Sequence, residues 1–145
     1  MVLSRKRLRK SDVRSLQERL PVELDKKAVV EQDDNLLFVD GELWFFMVDD
    51  EWIPSLRLLL KQDVLPKLVV DMGAVRFVTR GADIMRPGIT VVPKAPKDAL
   101  IVVVDETHGK PLAVGQLLLS SEDIQSASEG RVVKNLHFVG DELWG

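Results

Sequence analysis

The sequence predicts an α+β chain in two parts. A small N-terminal α+β domain covers residues 1–66, and a pseudo-barrel of mainly antiparallel strands covers residues 67–145. Three observations lead there. The second part is mostly short apolar runs, such as residues 100–104 and 112–119, separated by turn residues and one or two short helical stretches. The first part has helical spacing near both ends and a hairpin signal, Asp40-Gly41, between two apolar runs. Residues 63–67 form the boundary. No flexible linker separates the halves, so they are expected to pack together.

Residues 1–12 are polar and basic, with Arg5, Lys6, Arg7, Arg9 and Lys10. Ser11 reads as the N-cap of a helix over 12–20, with Val13, Leu16 and Leu20 on one side and Pro21 ending it. Residues 28–30 suit a strand, and 36–39 and 43–48 suit a hairpin. Trp44, Phe45 and Phe46 are consecutive on a strand, so they cannot share a face; core packing is expected for most of them. Asp49-Asp50-Glu51 is a turn. Ile53-Pro54-Ser55-Leu56 opens a second helix with Pro54 at its first position, and Leu56, Leu59 and Leu60 make its buried stripe.

The second part begins with β-branched Val69 and Val70, a strand that Gly73 is expected to break. Residues 74–80 make about two helical turns, with Val75, Phe77 and Val78 available to the core and Arg76 and Arg80 four apart on one face. Gly81 stops that helix in the left-handed conformation. Pro87-Gly88 makes a second sharp turn before a strand over 89–92. His108-Gly109-Lys110 marks the turn between the next two strands. A helix over 120–128 is followed by Gly130, and a last strand over 132–139 shows broken alternation that fits a bulge. Trp144 is expected to pack on the barrel.

Composition narrows the function. The formal net charge is −3, so any nucleic-acid contact must rest on local basic patches. There are no cysteines, which removes disulfides, thiolate metal sites and a cysteine nucleophile. No apolar run approaches the roughly eighteen residues of a membrane span, and the basic N-terminus lacks the apolar stretch of a signal peptide. A cytoplasmic protein without a membrane partner is expected. His108 and His137 have no second ligand at metal spacing; an exposed His108 and a partly buried, hydrogen-bonded His137 are expected. Adjacent carboxylates at 49–50 and 122–123 fit turn and helix-start roles. No Gly-rich phosphate loop with a following lysine is present. No catalytic residue, metal or cofactor is therefore expected.

Between residues 71 and 88 the sequence runs through Gly73-Ala74, Gly81-Ala82-Asp83-Ile84-Met85 and Pro87-Gly88. Ala113-Val114-Gly115, then Ser120-Ser121-Glu122-Asp123-Ile124, then Gly130 and Asp141-Glu142-Leu143-Trp144 follow in order. This ordered set resembles the PUA domain, a small RNA-binding β-barrel of pseudouridine synthases and archaeosine transglycosylases. Upstream, Gly41-Glu42-Leu43-Trp44-Phe45-Phe46 and Ile53-Pro54-Ser55-Leu56-Arg57-Leu58-Leu59 resemble the pre-PUA domain of the malignant T-cell amplified sequence family. The same arrangement is similar to the N-terminal part of eukaryotic translation initiation factor 2D. The chain looks like an archaeal-type version with a shorter N-terminus.

The resemblance implies a non-enzymatic RNA-binding protein of translation that works with the small ribosomal subunit and the 3′ acceptor end of tRNA. It implies that Gly81, Ala82, Asp83, Met85, Arg86, Pro87 and Gly88 hold RNA, with Arg76, Arg80 and Lys134 adding charge. Backbone amides beside the glycines could then meet phosphates or base edges. Asp83 either caps the loop or faces RNA. The basic N-terminus either contacts small-subunit rRNA or is a solvated, fraying tail. A protein partner resembling density-regulated protein, with its initiation-factor-one-like domain, is also implied. Two other functions fit the residues: a targeting module for a tRNA or rRNA modification enzyme, and a protein–protein adaptor whose PUA fold does not bind RNA.

Overall fold

The computed structural model describes residues 4–145; the first three residues of the expected basic segment lie outside the described residues. The chain divides into two compact units, one running to Val64 and one from Leu65 to Gly145.

The first unit is an antiparallel meander in the order β1-β2-β3-β4-β5. Its strands are β1 (Lys6–Arg7), β2 (Val30–Asp33), β3 (Leu36–Val39), β4 (Glu42–Val48) and β5 (Glu51–Pro54), with helices α1 (Lys10–Gln17) and α2 (Leu56–Leu59). Tight hairpins set the register. Val39 pairs with Glu42 across Asp40-Gly41, whose φ values are +50° and +85°. Val48 pairs with Glu51 across Asp49-Asp50, at +47° and +64°. Two successive positive φ values match the right-handed twist of the flanking strands. The core holds Leu24, Val30, Leu37, Phe45, Trp52 and Leu58, and Val13 and Leu16 of α1 pack partly buried against it.

Several expectations for this unit shift by a residue or more. The cap of α1 is Arg9, not Ser11, because the Asp12 carboxylate reaches back to accept the Arg9 N–H at 3.3 Å. The cap of α2 is Ser55, whose hydroxyl accepts the Leu58 N–H; Pro54 ends the strand instead of opening the helix. The buried stripe of α2 is Leu56, Leu58 and Leu59, and Leu60 is exposed. Trp44 is the extra residue of a bulge between β3 and β4; its indole N–H donates to Glu42 at 3.0 Å, while Phe45 and Phe46 are buried. Lys61 holds the same Glu42 at 2.8 Å, and its hydrogen bond is the main reason that carboxyl is held below its ordinary pKa. The basic segment from Arg5 onward is docked rather than frayed. Lys6 and Arg7 pair with β2, and the Arg5 guanidinium lies 3.7 Å over the Phe38 ring.

The second unit is a six-stranded sheet in the order β7-β11-β10-β9-β6-β8. It contains β6 (Lys67–Val70), α3 (Met72–Val78), β7 (Ile84–Met85), a 3₁₀ turn (Arg86–Gly88), β8 (Ile89–Val91), β9 (Leu100–Asp105), β10 (Pro111–Leu117), α4 (Ser121–Ser126) and β11 (Arg131–Phe138). All pairs are antiparallel except β6–β9, which is parallel. No ladder closes the sheet, as expected of a pseudo-barrel: β7 and β8 are its two edges, and the Arg86–Gly88 turn runs from one to the other. Apolar residues of both helices and the strands, including Leu68, Val78, Ile101, Ile124 and Val133, form one core. The irregular last strand has its physical basis in a bulge: Val114 faces His137 and Gly115 faces Asn135, so Leu136 is the extra residue.

The β9–β10 turn is organised by Asp105. Its buried carboxylate accepts the N–H groups of Thr107 at 3.0 Å, His108, and Lys110 at 3.2 Å. These bonds, His108's foremost, hold the carboxyl below its ordinary 3.8 against the opposing cost of desolvation.

Candidate nucleic-acid interface

The loop after α3 is positioned by the way that helix begins and ends. Asp71 terminates β6 and caps α3, accepting the Ala74 N–H at 2.9 Å. Gly73 therefore sits in the first helical turn; it does not break the strand, and the helix starts two residues earlier than residue 74. At the other end Gly81 takes φ +92°. The Gly81 N–H bonds to the Val78 carbonyl and the Ala82 N–H to the Phe77 carbonyl, each at 3.0 Å. This nested pair is the Schellman ending, and it requires a left-handed residue at Gly81. A Cβ at Gly81 would stand 2.7 Å from the Phe138 ring.

Two polar side chains then fasten the loop to β11. Asp83 accepts the Asn135 backbone N–H at 2.9 Å and an Arg131 N–H at 3.0 Å. The Asn135 amide donates to the carbonyls of Val78 at 3.1 Å and Ala82 at 3.0 Å. Asp83 thus caps the loop. Arg86 fastens the other side: its Nε donates to the Ile124 carbonyl at 2.6 Å and its Nη1 to the Ile89 carbonyl at 3.2 Å. Gly88 accepts the Asp71 N–H at 2.9 Å, and its missing Cβ leaves room for Ala74, which would lie 3.0 Å away.

These bonds sort the expected site residues. Gly81, Asp83, Arg86 and Gly88 hold the loop in shape. The amides of Gly81 and Ala82 close the helix end, so they are not open donors for a phosphate, which corrects that expectation. Arg76, Arg80, Ala82, Met85, Pro87 and Lys134 are exposed. Asn135 and Arg131 bring β11, and with it Lys134, beside the loop. Three residues of the site lie outside what the sequence suggests: Arg131, Asn135 and Phe77. Arg131 and Asn135 carry a signal, since with Lys134 and His137 they are the polar positions of an otherwise apolar final strand. Phe77, which helical spacing offers to the core, is instead 49% exposed. Val78 next to it takes the buried position at 2%, because neighbouring helical residues point about 100° apart.

The histidines stand apart from the loop's polar contacts. His108 is exposed in the Asp105 turn. His137 is fully buried, more than expected, with Nδ1 2.7 Å from Asp141. The same Asp141 accepts the Phe138 N–H at 3.0 Å and the Trp144 N–H at 2.9 Å, which secures the chain end, where Trp144 is half-buried. Burial holds the His137 imidazole below its ordinary 6.5, with Asp141 partly opposing.

The Arg86 geometry has a direct consequence. Arg86→Ala removes two charge-assisted bonds to carbonyls and should destabilise the unit by about 1.5–3 kcal/mol. Urea unfolding of the variant checks this; an unchanged midpoint would show that the guanidinium is not fixed there.

Comparison with known proteins identifies the architecture. The PUA domain matches residues 66–139, and a "Domain of unknown function (DUF1947)" matches residues 2–62. An uncharacterized protein of Methanocaldococcus jannaschii is 41% identical over 94% of this chain and 93% of its own. Malignant T-cell-amplified sequence 2 of Homo sapiens is 39% identical over 75% of this chain. The chain belongs to the malignant T-cell-amplified sequence family of PUA-domain proteins. Translation machinery-associated protein 20 of Saccharomyces cerevisiae is 41% identical over 75% of this chain. The match spans 65% of the yeast protein and 64% of the human one. A PUA-domain structure from Aeropyrum pernix, in a tartrate complex, superposes with a TM-score of 0.86 at 25% identity, covering 99% of this chain and 90% of the other. The second unit is thus a PUA pseudo-barrel, and the loop between α3 and β8 is the PUA loop. No helix among the described residues is long and apolar enough to cross a membrane.

Proposed function

We propose that this PUA-family chain is a non-catalytic, translation-associated RNA-binding protein that acts in the cytoplasm. Its PUA loop receives the unpaired 3′ acceptor end of tRNA, and it binds the small ribosomal subunit. The observation that carries this reading is the 41% identity, over 75% of the chain, to a protein named for its association with the translation machinery. The chemistry agrees. Arg76, Arg80 and Lys134 supply cations beside a loop whose shape is fixed before any ligand arrives. An unpaired strand presents base edges and faces that an A-form helix hides. Arg5, Lys6, Arg7, Arg9 and Lys10 on the first unit add sequence-independent attraction to phosphates. A partner resembling density-regulated protein would complete the assembly on the subunit.

Removing the terminal CCA from a tRNA is expected to weaken binding by about tenfold or more. Replacing the exposed Lys6, Arg7 and Lys10 by glutamine should weaken intact and truncated tRNA by a similar factor and make the salt dependence shallower. Anisotropy titration of the four combinations at fixed salt reads both. Equal affinity for intact and truncated tRNA in the full chain would defeat end recognition, and failure to co-sediment with small subunits at low salt would defeat the ribosomal part. A second reading, guidance of a separate RNA-modifying enzyme, draws on the archaeal box H/ACA sRNP, a chain of which superposes on 55% of this chain with a TM-score of 0.50. Co-sedimentation with ribosomes separates the two.

A further inference from the structure

We propose that Phe77 is a stacking platform for one unpaired nucleobase at the PUA loop; the inference rests on the RNA-binding reading above and adds the side chain that grips a base. α3 buries Val78 and packs Ala74 and Val75 partly against the core, yet leaves Phe77 49% exposed. Half of this large aromatic thus stays open to solvent on a seven-residue helix. Its surroundings select the occupant. The Arg76 guanidinium lies 4.8 Å from the Phe77 ring centroid, and Arg80, also exposed, follows three residues on. No acidic residue lies within α3; the capping Asp71 is turned onto the Ala74 N–H. In a chain of net charge −3, this is a local cationic and aromatic surface.

That pairing matches a single-stranded nucleic acid. The base has a π-face that stacks on an aromatic ring whatever its identity, and the phosphates on either side meet the arginines. A guanidinium against the ring adds a cation–π contact and restrains the side chain before the base arrives. The position is also fixed relative to the loop, because the Phe77 carbonyl accepts the Ala82 N–H at 3.0 Å. The platform therefore stands at the junction of helix and loop, where a strand end entering the PUA loop would pass.

The test is anisotropy titration of the full-length protein with a short labelled single-stranded RNA ending in CCA, beside a blunt duplex of the same sequence. Phe77→Ala should bind the single strand about 5- to 100-fold more weakly while keeping its affinity for the duplex. Phe77→Trp should retain single-strand binding. Phe77→Leu, apolar but without a π-face, should behave like Phe77→Ala. The salt slope should be unchanged in all three, whereas Arg76→Ala and Arg80→Ala should make it shallower. Because Phe77 is half exposed, the variants should remain folded at the assay temperature, with Phe77→Ala melting somewhat below the parent. Parental single-strand affinity in Phe77→Ala, or in Phe77→Leu, would overturn the stacking role and leave RNA binding standing. A parent protein that binds neither RNA would overturn both, and a protein partner for this face would then be the reading left.

Discussion

Gly81→Val is expected to lower the stability of the PUA unit by about 2–5 kcal/mol. Two costs add. At φ +92° a β-branched residue is a steric outlier, and the left-handed region alone costs an L-residue about 1–2 kcal/mol. The new side chain would also meet the Phe138 ring, 2.7 Å from its Cβ, and overpacking of this kind costs about 1–3 kcal/mol. Gly109→Val separates the two costs. Gly109 also has positive φ, at +64°, but nothing lies within 4 Å of its Cβ position. Urea unfolding should therefore place Gly109→Val between the parent and Gly81→Val. Equal midpoints for the two variants would mean that Phe138 yields freely and that only backbone strain matters. A parental midpoint for Gly81→Val would refute the Schellman ending itself.

Local grammar is more legible in this sequence than long-range contact. Hairpins at Asp40-Gly41 and Asp49-Asp50 can be read because turn chemistry is local, and Gly81 can be read as a left-handed helix end for the same reason. Helix starts are harder, since several side chains compete for each cap. Asp12 reaching back to Arg9 wins over Ser11, and Ser55 wins over Pro54. Phe77 is easily misplaced because one residue of helical phase separates a core position from a surface one. Bonds between distant residues cannot be read at all. Asn135 bonds to carbonyls 57 and 53 residues away, and Arg86 bonds to one 38 residues away. Neither choice of partner leaves a pattern in a single sequence. They are also the bonds that decide which residues of the loop keep its shape and which face outward, so the candidate site is legible as a segment but not as a division of labour.

Asp141→Ala should cost about 2–4 kcal/mol, because one carboxylate satisfies three groups near the chain end. The Phe138 and Trp144 N–H groups lose their acceptor, and buried His137 loses the partner of its Nδ1. The same pair predicts how stability depends on pH. His137 is held below its ordinary 6.5 when folded, so below about that pH the unfolded chain takes up a proton that the folded chain does not. Stability from this group is complete above the unfolded value and falls as pH drops toward the folded one. Asp105, also depressed, adds a second loss below its ordinary 3.8 as the carboxylate is protonated. Asp141→Asn isolates the charge. Without the carboxylate the imidazolium is less favoured in the fold, so the folded His137 value drops further and the loss of stability continues to lower pH than in the parent. His137→Gln should remove the step that begins near pH 6.5 and keep the one due to Asp105. Denaturant midpoints measured from pH 8 to pH 2 decide the matter. A parent whose stability stays flat between pH 7 and pH 5 would show that His137 titrates alike in both states, and that its burial does not disfavour the imidazolium.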